Sequence, residues 1–146
     1  MKILCIEDQK EKYKQIQTVV ATMEIDMTWK DNCQYGLMEL RENKYDIVLL
    51  DMSMPICSED ENETFDSYAG MSVLREIKRK RYNVKVIVIT GFSDFEKGYK
   101  VITLGELDHE IRDKYSNIYV GYIKYDSTSV EWQEKLKGMI QNIERG

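Results

Sequence analysis

Four hydrophobic runs of this 146-residue chain end on residues that could do chemistry together. Residues 3–6 (ILCI) lead into Glu7-Asp8, 47–50 (IVLL) into Asp51, 84–89 (VKVIVI) into Thr90, and 118–123 (IYVGYI) into Lys124. Gathered in one place, they would form a pocket of three carboxylates, a hydroxyl and an ammonium. Two carboxylates about 4 Å apart repel by about 4 kcal/mol at an effective dielectric of ~20, so such a trio needs a counter-cation. Lys124 offsets part of the charge, and an oxygen-seeking divalent ion offsets more. Mg²⁺ suits the set because it takes one or two carboxylates, keeps waters and leaves positions for phosphate oxygens. A carboxylate beside it can attack phosphorus to give an acyl phosphate. Positioning and charge neutralisation by the ion, Lys124 and Thr90 are what phosphoryl transfer then requires.

What brings these residues together is an alternation of short β-rich runs with helix-period segments. Strands are expected at Lys2–Ile6, more weakly at Asp26–Trp29, then at Asp46–Leu50, Val84–Ile89 and Ile118–Ile123. Helical spacing of apolar residues runs through Tyr13, Ile16, Val19 or Val20, and Met23. It recurs with Leu37, Met38 and Leu40 inward, and again at Met71, Val73, Leu74 and Ile77. A further helix is expected over Phe92–Leu104, while residues 105–117 resist assignment. The last helix carries Trp132, Leu136, Met139 or Ile140, and Ile143, with Thr128 and Glu131 spaced as a capping box. Strand–helix alternation of this kind predicts an α/β fold with a mostly parallel sheet covered on both faces. All carboxyl ends of a parallel sheet lie along one edge, where such folds bind ligands. The four runs therefore deliver their polar residues to a common crevice.

Bulk properties narrow the function. Hydrophobic residues make up 42% and charged residues 32%, which describes one globular domain. No apolar run is long enough to span a bilayer, and no cleavage signal stands at the N-terminus. A net charge of −5 disfavours nucleic acid. Cys5, Cys33 and Cys57 are odd in number without a close pair, which argues against a disulfide framework and fits the reducing cytoplasm. The single histidine, His109, offers little for a zinc site or a Ser–His pair. The acidic stretch within 58–66 reads as a solvated loop, and the basic residues 78–81 as favourable charge at a helix C-terminus.

The acidic pair Glu7-Asp8, the D-x-x-x-P stretch from Asp51 to Pro55, Thr90-Gly91 and Lys124 resemble the receiver domains of two-component response regulators. The resemblance covers essentially the whole chain. It implies a flavodoxin-like (βα)5 three-layer sandwich with a five-stranded parallel sheet of order 2-1-3-4-5. It further implies Asp51 as phosphoacceptor, and Mg²⁺ held by Asp8, Asp51 and the Ser53 carbonyl, with Glu7 helping through water. Thr90 and Lys124 would bond the phosphoryl oxygens, and Pro55 would shape the loop leaving the site. The implied donor is a sensor histidine kinase or histidine phosphotransfer protein. Signalling would proceed by docking to a downstream protein, with a homodimer as a further option and with neither nucleic acid nor membrane as partner. The chain ends just after its last helix, so a stand-alone cytoplasmic receiver without a separate output domain is expected.

Two positions depart from the family pattern. Tyr125 follows Lys124 where the family usually has proline, and the position three before the lysine, often an aromatic switch residue, is Gly121, with Tyr122 beside it. Tyr99, Tyr115, Tyr119, Tyr122 and Tyr125 could form either a partner surface or core. A degenerate receiver acting as a phosphorylation-independent binding module is the alternative these departures raise. An aspartyl phosphatase is disfavoured because Ser53 stands where such enzymes carry a second aspartate as general acid. No P-loop motif follows any strand.

Overall fold

The computed structural model describes residues 1–54, 70–97 and 100–146. Their elements, in order, are β1 (Lys2–Ile6), α1 (Lys10–Ala21), β2 (Asp26–Lys30), α2 (Cys33–Glu42), β3 (Ile47–Leu50) and α3 (Gly70–Lys80). They continue with β4 (Lys85–Thr90), β5 (Asp94–Lys97), β6 (Lys100–Thr103), α4 (Leu104–Lys114), β7 (Tyr119–Lys124) and α5 (Glu131–Arg145). Pro55, Cys57, the acidic stretch and Tyr99 lie outside the described residues.

The main sheet has five strands in the order β2-β1-β3-β4-β7, all paired in parallel. This is the flavodoxin-like order expected, with β7 as its fifth strand. Central strands β1, β3 and β4 are apolar on both faces because both faces are covered. One face packs Ile3, Ile47, Ile87 and Ile123 against Ile16 of α1 and Leu136 of α5. The other packs Leu4, Val48 and Val88 against Leu40, Leu74 and Leu107 of α2, α3 and α4. Fully burying one such aliphatic side chain contributes roughly 1.5–3 kcal/mol, so the alternate side chains of each strand fix its register.

The structure corrects several expectations. Phe92–Leu104 is not a helix: β5 and β6 form an antiparallel pair in which Phe95 faces Ile102 and both are buried. The adjoining β-branched residues Val101, Ile102 and Thr103 favour the extended backbone. Helix α4 begins only at Leu104 and takes in most of the unassigned 105–117 segment. Its N-terminus carries the reciprocal capping box, Thr103 with Glu106. The box expected at Thr128 and Glu131 does not form, because the Thr128 N–H and hydroxyl both donate to Asp126 Oδ1. Met38 is exposed instead of inward. Tyr115 and Tyr119 are core, while Tyr122 and Tyr125 are half-buried against it. Cys5 is a free buried thiol, whereas Cys33 is disulfide-bonded, a cross-link the spacing did not suggest.

Candidate functional site

Ladder hydrogen bonds carry β1 and β3 one residue past their ends. The Glu7 N–H donates to the Lys30 carbonyl and the Asp51 N–H to the Ile6 carbonyl, both at 3.1 Å. The Trp29 indole N–H donates to the Glu7 carbonyl at 2.8 Å, and its ring stacks on Tyr13 with centroids 4.2 Å apart. The backbone is therefore pinned where the acids emerge. Glu7, Asp8 and Asp51 each bring a carboxylate oxygen within 4.8 Å of the others, Glu7 and Asp51 buried and Asp8 exposed. This is the convergence the strand ends predicted.

On the neighbouring strands Thr90 and Lys124 are register partners, and the Tyr125 N–H extends that ladder to the Thr90 carbonyl at 2.8 Å. Thr90 is fully buried, and its Oγ1 accepts from the Phe92 N–H at 3.1 Å. That bond leaves the hydroxyl proton to be donated elsewhere. Lys124 is exposed and its ammonium donates to the Gly91 carbonyl. It lines the same cleft of about 490 Å³ as Asp51, together with Gln9, Gly91, Phe92 and Tyr125. The two lie in one crevice without pairing.

The cation that does meet the acids is one the strand-end reasoning missed. Lys12, in the first turn of α1, is only 3% exposed. Its Nζ lies 2.6 Å from Glu7 Oε1 and 3.7 Å from Asp51 Oδ1, and donates to the Ile89 carbonyl at 2.8 Å. A signal for it existed: position 12 precedes Ile16 by four residues and so shares the apolar stripe of α1. A lysine on a core-facing stripe needs a buried partner.

One ammonium cannot neutralise two buried carboxylates, and the imbalance shows at Glu7. Burial, together with the charge of Asp51, raises the Glu7 carboxyl to about 8 against the opposing pull of Lys12. Asp8 is raised by partial burial and by its hydrogen bond to, and charge repulsion from, Asp51. Asp51 Oδ1 also accepts from the Ser53 N–H at 3.0 Å, while the shielded Ser53 hydroxyl has no partner among the described residues. Three clustered acids with one solvent-facing member suit a small divalent cation that retains waters. Glu7, Asp8 and Asp51 are the clustered carboxylates available to hold it.

The departures at the other end of the site have structural reasons. Among the described residues no peptide bond is cis, so Tyr125 follows Lys124 through a trans bond. Its ring packs edge-on to Trp132 at 5.1 Å and lies 5.6 Å from the Lys12 ammonium, forming a wall of the cleft. The β4–β7 register shifts near Val86, and Gly121 beside the shift has φ of 158°. A Cβ there would stand 3.3 Å from Met139 Cε on a backbone that L side chains rarely adopt, so a side chain at 121 is strained. Tyr122 lies under the Lys135 ammonium at 4.8 Å.

Residues 3–109 match the family model of the response regulator receiver domain. The chain belongs to this family. It is 31% identical over 114 residues to an uncharacterised protein, y4jR, of Sinorhizobium fredii, covering 75% of this chain and 76% of that one. It is also 27% identical over 143 residues to the Detocs response regulatory protein DtcB of Enterobacter cloacae, covering 93% and 95% of the two chains. Among solved structures, the receiver domain of the Francisella response regulator 1452 superposes with a TM-score of 0.70 at 19% identity, covering 99% of this chain and 97% of that one. TrrA of Thermotoga maritima, solved in complex with Mg²⁺-BeF, superposes with a TM-score of 0.63 at 21% identity, covering 94% and 97%. Receiver domains are phosphoacceptor signalling modules with an acidic pocket, and the clustered Glu7, Asp8 and Asp51 provide that pocket here. No helix among the described residues is long and apolar enough to cross a membrane.

Proposed function

We propose that this chain is a receiver that accepts a phosphoryl group on Asp51 from a phosphohistidine donor and signals by phosphorylation-dependent docking. The observation that carries this is the meeting of Glu7, Asp8 and Asp51 within 4.8 Å at the sheet's carboxyl edge, with Thr90 and Lys124 on the adjacent strands. An Asp51 oxygen attacks phosphorus as the P–N bond to the donor imidazole breaks, and the electron pair stays on that nitrogen, which takes up a proton. Asp8, Asp51 and the Ser53 carbonyl, with Glu7 through water, would hold Mg²⁺, which would supply charge neutralisation at the phosphoryl oxygens. The Thr90 hydroxyl has its proton free to donate to a phosphoryl oxygen. Lys124, bonded only to a backbone carbonyl, swings across the cleft at little cost. The donor is a sensor histidine kinase or histidine phosphotransfer protein in the cytoplasm.

Incubation with acetyl phosphate and Mg²⁺ should add one phosphoryl group to the intact mass, and Asp51→Asn should abolish the addition. Unmodified wild-type protein would overturn the proposal. The placement of Lys12 against the acids also favours a second reading, in which the pocket no longer cycles and the chain is a phosphorylation-independent binding module. A partner bound equally by wild type and Asp51→Ala would support that reading.

A further inference from the structure

The acidic pocket already contains a positive charge that belongs to the protein. Lys12 Nζ has three hydrogens and three acceptors around it: Glu7 Oε1 at 2.6 Å, the Ile89 carbonyl at 2.8 Å and Asp51 Oδ1 at 3.7 Å. Nothing about this arrangement is incidental to the surface, since Lys12, Glu7 and Asp51 are all at most 4% exposed. Lys124 does not share the task, for it is exposed and turned to the Gly91 carbonyl. Asp8 has no ion pair among the described residues.

We propose that Lys12 is a tethered counter-cation, held against Glu7 and Asp51 in the place a divalent ion must partly take over. Mg²⁺ then binds this chain only by displacing the Lys12 ammonium. Two physical reasons support the competition. An ion coordinated by Asp51 and hydrated beside Glu7 needs lone pairs that Lys12 now occupies or faces. A divalent ion and an ammonium at that spacing inside a buried site also repel strongly, because screening by water is weak there. The lysine can leave. Its four-carbon stem is flexible, and the cleft beside it, lined by Gln9, Tyr125 and Asp126, is open. Lys12 is thus a positioning residue that sets metal affinity.

This inference does not require Asp51 to accept a phosphoryl group. Its test is calorimetric titration of the full chain with Mg²⁺ alone, comparing wild type with Lys12→Met. We expect at least a tenfold tighter dissociation constant in the variant. Equal or weaker Mg²⁺ binding by the variant would overturn the proposal, as would binding by neither. A merely structural role for Lys12 would lower the melting temperature without tightening Mg²⁺. Should Lys12→Met fail to fold, the nitrogen-15 spectrum of the wild-type lysine ammonium groups decides. The Lys12 signal should move in step with Mg²⁺ occupancy, and a signal unchanged at saturation refutes displacement. Absence of phosphoryl uptake from acetyl phosphate would defeat the proposed function while leaving both readouts valid.

Discussion

At the ends of β1 and β3, the ionisable groups Glu7, Lys12 and Asp51 are withdrawn from water and bonded to one another. At the ends of β4 and β7, Thr90 is buried, but Lys124 is exposed and bonded only to a loop carbonyl. Both halves of the crevice are built from polar residues following apolar strands. They differ in what meets them: α1 brings the buried Lys12 against the acids, while Lys124 stands exposed at the cleft both halves line. In the acidic half the lysine is coupled to folding, and in the other half the lysine is left free to move.

Four substitutions or conditions would break or sharpen that contrast. Lys12→Ala leaves the buried Asp51 and Glu7 carboxyl groups without their ammonium partner and should cost about 3 kcal/mol of stability, read by urea denaturation without divalent ions. The pH dependence comes next. Glu7 holds its proton to about pH 8 when folded, against an ordinary value of 4.5, so the folded state binds more protons across that window. Its contribution is fully present below 4.5 and is lost as pH rises through 8. Metal-free stability should therefore fall with pH by up to about 1.4 kcal/mol per unit, and Glu7→Gln should flatten the slope. Thr103→Ala, which removes the cap of α4, should cost about 1 kcal/mol by thermal unfolding. Smallest in stability is Lys124→Ala, within about 0.5 kcal/mol of wild type, although its uptake from acetyl phosphate should drop at least tenfold. A stability loss at Lys124 as large as that at Lys12 would erase the distinction between the halves.

The sheet and its acidic edge were legible because buried parallel strands leave an unambiguous record, apolar runs closed by a polar residue. Glu7, Asp8, Asp51, Thr90 and Lys124 were found this way. The pairing of β5 with β6 is harder to read because Phe92, Phe95, Tyr99 and Ile102 also fit a helical period; the β-branched run 101–103 is the better guide. Thr128 has the spacing of a capping box, but Asp126 two residues earlier competes for its hydroxyl. Lys12 escaped because the stripe of α1 was traced through its apolar members alone. A basic residue on that stripe registers only when the partners supplied by β1 and β3, distant in sequence, are in place.

The two tryptophans divide the crevice between them. Trp29 grips the Glu7 carbonyl and stacks on the residue that follows Lys12, while Trp132 sits edge-on to Tyr125 beyond Lys124. Each indole is thus a native fluorophore against a different wall of the crevice. Emission from Trp132→Phe reports an ion entering among the acids, and emission from Trp29→Phe reports rearrangement around the second lysine. The order in which the two events occur can be timed in a stopped-flow instrument with no added dye.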